Sequence, residues 1–155
     1  MALAGEVVEE EPSPPVVGRS RRDHADGIRT ELAARPGWEP PSAALRNAVS
    51  VPLADCAGHS DRALRVVQLI LRTPALHARF LERQEQWRDD LTAELARRAG
   101  PAPDTDLHPQ PAAGMALTAF NTVLRRWSDS DGAEDPLELT DRAFAVSAPA
   151  LDHTG

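Results

Sequence analysis

Lysine and tyrosine are absent from this chain, and cysteine occurs once, at Cys56. All 17 of its basic residues outside histidine are arginine, a pattern of GC-rich codon usage that carries little chemistry. With a single thiol no intrachain disulfide can form, which suits a reducing cytoplasm. Aromatics make up only 4% of the residues, so aliphatic side chains and alanine must build most of the core. No apolar run approaches the length of a membrane span, and the amino terminus lacks the charged-then-apolar layout of a secretory signal. A concentrated positive face is also missing: the net charge is -7, and Glu6, Glu9, Glu10 and Glu11 fall in an opening stretch without arginine. The densest basic run, Gly18 to Arg22, is better explained as a solvated helix start than as a contact to nucleic acid.

What remains is enough for one domain, since 155 residues can bury a sizeable core. Residues 1–15 combine glutamate with three prolines and show no helical periodicity, which predicts a disordered acidic arm. Residues 16–151 form the folded unit, and residues 152–155 are expected to fray. Ala25, Ile28, Leu32 and Ala33 recur at helical steps over residues 19–34, and Pro36-Gly37 stops that helix. Trp38 is expected to fold back onto apolar surface. A second helix over residues 42–57 carries Leu45, Val49, Leu53 and Cys56 on one stripe, with a kink or break expected at Pro52. A third, over residues 61–72, is apolar nearly all round at Val66, Val67, Leu69, Ile70 and Leu71. Such a helix is expected to run buried through the middle of the domain.

Thr73-Pro74 opens the fourth helix, with a hydroxyl at the N-cap and proline in the first turn. Its stripe is Leu76, Phe80, Trp87, Leu91 and Leu95, with Gln84 as the one polar member, and Gly100 ends it. Residues 101–111 are predicted as a proline-rich loop. The fifth helix spans residues 112–127 and directs Phe120 and Trp127 to a core. Asp135-Pro136-Leu137-Glu138 is a capping box for the last helix, which reaches about residue 148. No alternating strand pattern occurs, so the expected class is an all-α bundle of six helices.

Little catalytic chemistry is written into these residues. None of His24, His59, His77, His108 and His153 stands four residues from another histidine or the cysteine, so no metal is expected. Cys56 on an apolar stripe reads as a small core residue. No nucleophile elbow, triad or glycine-rich phosphate loop is present, and no cofactor is expected. Phe80, Trp87, Phe120 and Trp127 either line a cavity, with Gln84 orienting a ligand, or form ordinary core; the pattern allows both.

The segments VVGRSRRDHADGIRTELAARP, EPPSAALRNAV, LRTPALHARFLERQEQW and FNTVLRRW, in that order, resemble the carboxy-terminal half of TetR-family transcriptional regulators. The likeness is to the actinobacterial branch with acyl-CoA-like and mycofactocin-type members. It covers residues 16–151 and implies an effector-binding and dimerisation domain that senses a small, largely apolar ligand. It implies that the helix over residues 19–34 connects to a DNA-reading helix-turn-helix, which takes roughly 45–60 residues and has no counterpart here. DNA binding is therefore expected only if such a unit precedes Met1. Pocket candidates are Val67, Leu71, Phe80, Gln84, Trp87 and Phe120. The last two long helices would pair with their mates in a homodimer, with Leu117, Leu124, Leu137 and Phe144 as interface candidates. A headless subunit that pairs with and antagonises an intact regulator is the alternative, and a helical-bundle enzyme is a remoter one.

Overall fold

The structure is a computed structural model in which residues 27–58, 60–100 and 108–153 are described. All regular structure among them is helical: a segment over residues 27–34 (α1), then α2 (Pro41–Gly58), α3 (Ser60–Arg72), α4 (Pro74–Ala99), α5 (Pro109–Asp129) and α6 (Pro136–Leu151). The predicted arm, and the part of the first helix before residue 27, lie outside the described residues.

The centre of the bundle is α5, which touches α2, α3, α4 and α6. Ala112, Ala113, Ala116 and Ala119 are all buried on it, and such short side chains let neighbouring backbones come close. Between them Leu117, Phe120, Val123, Leu124 and Trp127 fill the space to the surrounding helices. Buried partners arrive from α1 (Ile28, Leu32), α2 (Leu45, Val49, Leu53), α4 (Leu91, Leu95) and α6 (Leu139, Phe144, Leu151).

Several expectations change. The third helix is not central: on α3 only Leu64 is buried, while Val66 and Leu69 are 50% and 57% exposed. α3 is two-sided, with Asp61, Arg62, Arg65 and Arg72 exposed among its apolar residues, and α5, whose buried alanines allow close approach, took the interior instead. α2 runs without a break through Pro52, and α6 through Pro149. α5 starts at Pro109, not at residue 112; with proline in its first turn it needs no backbone donor there. Trp38 does not fold back; it is 84% exposed.

Helix ends are held partly as foreseen and partly by ties that cross the fold. Asp135 caps α6 by accepting from the Leu137 N–H at 3.1 Å. Thr73 occupies the N-cap of α4, but its hydroxyl makes no capping bond. Gly100 closes α4 at φ 74°, and Gly132, at φ 81°, turns the chain after α5. Asp152 belongs to no frayed tail: its carboxylate accepts from the Ser42 N–H at 2.8 Å and from the Ser42 hydroxyl at 2.6 Å. It thus satisfies the first turn of α2 from the far end of the chain. The α1–α2 turn is held from the other side by Arg98 in the last turn of α4. Its guanidinium donates to the carbonyls of Arg35 (2.9 Å), Pro36 (3.1 Å) and Glu39 (3.3 Å), with a longer contact to Leu32 (3.5 Å). Glu39 in the same turn binds the Arg35 side chain and accepts from Asn47 at 2.9 Å.

Two predictions follow from these ties. Replacing Arg98 with alanine removes a charged donor from carbonyls that have no other side-chain donor, a loss of about 1.5–3 kcal/mol; Arg98→Lys, which cannot fork, should recover only part of it in a denaturant melt. The Glu39 carboxyl is held below its ordinary value of 4.5, chiefly by the hydrogen bond from Arg35. A lowered folded value means that its contribution is complete above 4.5 and is lost as pH falls through the folded value. The acid limb of a stability–pH curve should therefore be shallower in Glu39→Gln, with the two proteins converging at the lowest pH.

Candidate functional site

Three aromatic rings gather where α4 crosses α5. Trp87 stands edge-on to Phe120 with ring centroids 5.7 Å apart and edge-on to Phe80 at 6.3 Å; Phe80 and Phe120 are 6.5 Å apart. Edge-to-face contact sets the positive rim of one ring against the negative face of the next. Phe80 and Trp87 meet because seven residues make two turns of helix. Phe80 is only half-buried, so it forms the outer member of the cluster.

Gln84, one turn before Trp87, is buried beside this group, and α5 supplies its partner. Its amide nitrogen donates to Asn121 Oδ1 at 2.6 Å, and Asn121 Nδ2 donates back to Gln84 Oε1 at 2.7 Å. The two amides form a closed reciprocal pair between α4 and α5. The Trp87 indole N–H fares differently. It is buried and meets no acceptor among the described residues. An unpaired buried donor costs roughly 1–3 kcal/mol.

Asn121 also reaches the floor of a surface groove of about 270 Å³. Leu71 at the end of α3, His77 and Leu81 on the first turns of α4, and Thr118, Thr122 and Arg125 on α5 complete its lining. Leu81 is exposed, and the same α3–α4 corner exposes Leu69 and Leu76.

Of the residues singled out from the sequence, Phe80, Gln84, Trp87 and Phe120 do come together. Leu71 lies in the groove, and Val67 packs against the core without lining it. Asn121 and Arg125 were missed. Asn121 lies beside Phe120 in a stretch of small and apolar residues, and a buried glutamine opposite was the one signal that an amide partner was needed. Three of the four proposed interface residues are spent inside the subunit: Leu117, Leu124 and Phe144 are buried against their own chain. The sequence held too many apolar positions for one face because α5 is enclosed by four helices rather than two. Leu137, 38% exposed, is the one still at the surface.

The other reactive groups have structural explanations. His108 Nε2 lies 2.7 Å from the Leu151 carbonyl, tying the start of α5 to the end of α6. No group of histidine, cysteine and acidic residues among the described residues could hold a metal ion. Burial pushes the Cys56 thiol up to about 11, with Asp55 adding to the effect. At pH 8 native Cys56 should therefore react with iodoacetamide far more slowly than the same thiol in the urea-unfolded chain. Equal rates would mean that the thiol is not enclosed as described.

The family model described as the MftR C-terminal domain matches residues 38–152, from the exposed Trp38 to the Asp152 that caps α2. No curated protein matches the chain. No described helix is long and apolar enough to cross a membrane. An all-α bundle and a match over most of the chain agree, and the family is regulatory rather than enzymatic. The chain belongs to the MftR C-terminal domain family, the ligand-binding and dimerisation domain of TetR-type regulators.

Proposed function

We propose that this domain senses a small, largely apolar effector at the junction of α3, α4 and α5 and reports it through the position of α1. The observation that carries the reading is the Trp87 N–H, a buried donor without an acceptor inside an aromatic cluster. In ordinary core such a group is a net loss. In a sensor it is a donor held ready for a ligand acceptor, and the half-buried Phe80 is the side chain that must give way. The orienting role expected of Gln84 passes to Trp87, because Gln84 is already satisfied by Asn121.

The route to α1 is mechanical. Trp87 and Arg98 share one helix, eleven residues or about 16 Å apart at 1.5 Å per residue. A displacement of α4 at the aromatic cluster carries Arg98 with it, and Arg98 grips the carbonyls that end α1. Differential affinity for the two positions of α4 is all a ligand needs to shift the equilibrium.

The domain works as a cytoplasmic homodimer in this reading. The outer face of α6 exposes Val146 with Ala145, Pro149 and Ala150. Small side chains beside Val146 permit close approach of a two-fold mate. This face, not the buried Leu117, Leu124 and Phe144, is the surface available.

Both parts are measurable. The neutral fluorophore N-phenyl-1-naphthylamine should bind saturably, one per chain. Trp87→Phe should weaken binding of acceptor-bearing ligands such as aliphatic esters while leaving the melting temperature nearly unchanged. No saturable binding by the wild-type domain would sink the sensor reading. Val146→Arg should convert a sedimenting dimer to monomer; an unchanged sedimentation coefficient would exclude this face.

A further inference from the structure

The groove beside the aromatic cluster has a one-sided chemistry. Of its polar lining, most is already committed. The Thr118 hydroxyl donates to the Gly114 carbonyl and the Thr122 hydroxyl to the Thr118 carbonyl, both at 2.9 Å. Asn121 is bound in both directions by Gln84. The one charged group left to meet a ligand is the Arg125 guanidinium, which has no side-chain partner among the described residues. No aspartate or glutamate lines the groove, in a chain whose net charge is -7. The neighbouring arginine Arg126 shows the contrast, for its guanidinium is paired with Glu134 at 3.0 Å. Leu71 and Leu81 supply the apolar part of the lining.

We infer that this groove takes an aliphatic carboxylate, with its head on Arg125 and its chain between Leu71 and Leu81. This rests on the sensor reading above and specifies the class of its effector. A carboxylate can accept two parallel N–H bonds from one guanidinium, a geometry that a neutral ester cannot match. The groove holds about 270 Å³, just below the usual range of ligand pockets (~300–1,000 Å³), so the chain it accepts is of medium length. The acid-free lining excludes cationic amphiphiles by repulsion as firmly as it invites anionic ones. Arg125 is a solvent-exposed residue of α5 that holds nothing in the fold, so its replacement tests binding rather than folding.

The test measures displacement of N-phenyl-1-naphthylamine by decanoate and by methyl decanoate, on the whole chain and on Arg125→Gln. The acid should bind at least about tenfold more tightly than the ester, the scale of one charge-assisted contact of ~1.5 kcal/mol. In Arg125→Gln the acid should fall to the level of the ester, with ester binding and melting temperature unchanged. Equal affinity of acid and ester for the wild-type chain overturns the carboxylate assignment and leaves the sensor reading standing. A preference for the acid that survives in Arg125→Gln overturns it as well, since the head would then sit elsewhere. If the neutral fluorophore itself fails to bind, both readings fall together.

Discussion

Close approach of α5 to the helices around it is the constraint on which the rest of this structure depends. An element touched by four others has almost no outer face, and it can be enclosed only if much of its surface is small. Ala112, Ala113, Ala116 and Ala119 meet that need. Alanine also carries the best intrinsic helix propensity, so the residues that allow the approach stabilise the helix too. The large residues of α5 then occupy defined gaps: Phe120 toward α4, and Leu124 and Trp127 deeper in the core. A bulky side chain at one of the buried alanines would push a neighbouring helix outward, at a cost typical of overpacked cores, about 1–3 kcal/mol.

Within that frame the α4–α5 contact is unusual in being partly polar. A leucine at Gln84 facing another at Asn121 would be the simpler way to join two helices, since replacing both members of a buried polar pair by apolar groups is often neutral or stabilising. The reciprocal amide pair instead fixes one register, because two donors and two acceptors meet only at a single offset. It also creates an asymmetry. Separating the helices by a fraction of a turn would leave two amides unsatisfied, so the contact resists small shifts and yields only to a ligand that offers replacement bonds. Trp87, with its N–H already unpaired, is where such replacement begins at no further expense. In the proposed sensor the polar pair and the orphan donor would act in opposite directions, one holding the empty state together and the other favouring the occupied one.

Much of this architecture was legible from residues alone, and the failures share a cause. The fourth helix, its start at Pro74, its end at Gly100 and its Phe80–Gln84–Trp87 face were all readable from spacing and caps. The third helix was misplaced because periodicity reports which face is apolar, not how many neighbours a helix has. The charged residues Asp61, Arg62, Arg65 and Arg72 mark an outer side on α3, and the packing preference of alanine on α5 decided which helix went inside. The same ignorance of neighbours put Leu117, Leu124 and Phe144 on an interface. Arg98 and Asp152 were invisible for another reason. Each serves a helix end distant in sequence: Arg98 lies more than sixty residues from Arg35 and Asp152 one hundred and ten from Ser42. Local rules placed Arg98 at the negative end of its own helix and left Asp152 in a tail.

These distant ties anchor α1 at the turn that follows it. A helix buried by two side chains, Ile28 and Leu32 among its described residues, has a small apolar hold on the bundle. The carbonyls just past its end are held by Arg98, whose hydrogen bonds are directional but short in range. The opposite flank of the α1–α2 turn is fixed through Ser42 to the end of α6. In the proposed sensor the α1–α2 turn, gripped by Arg98, follows the end of α4 and carries α1 with it. A bound effector need not unfold anything to be felt at α1. It needs only to favour one position of α4, which the hydrogen bonds of Arg98 would pass to the α1–α2 turn.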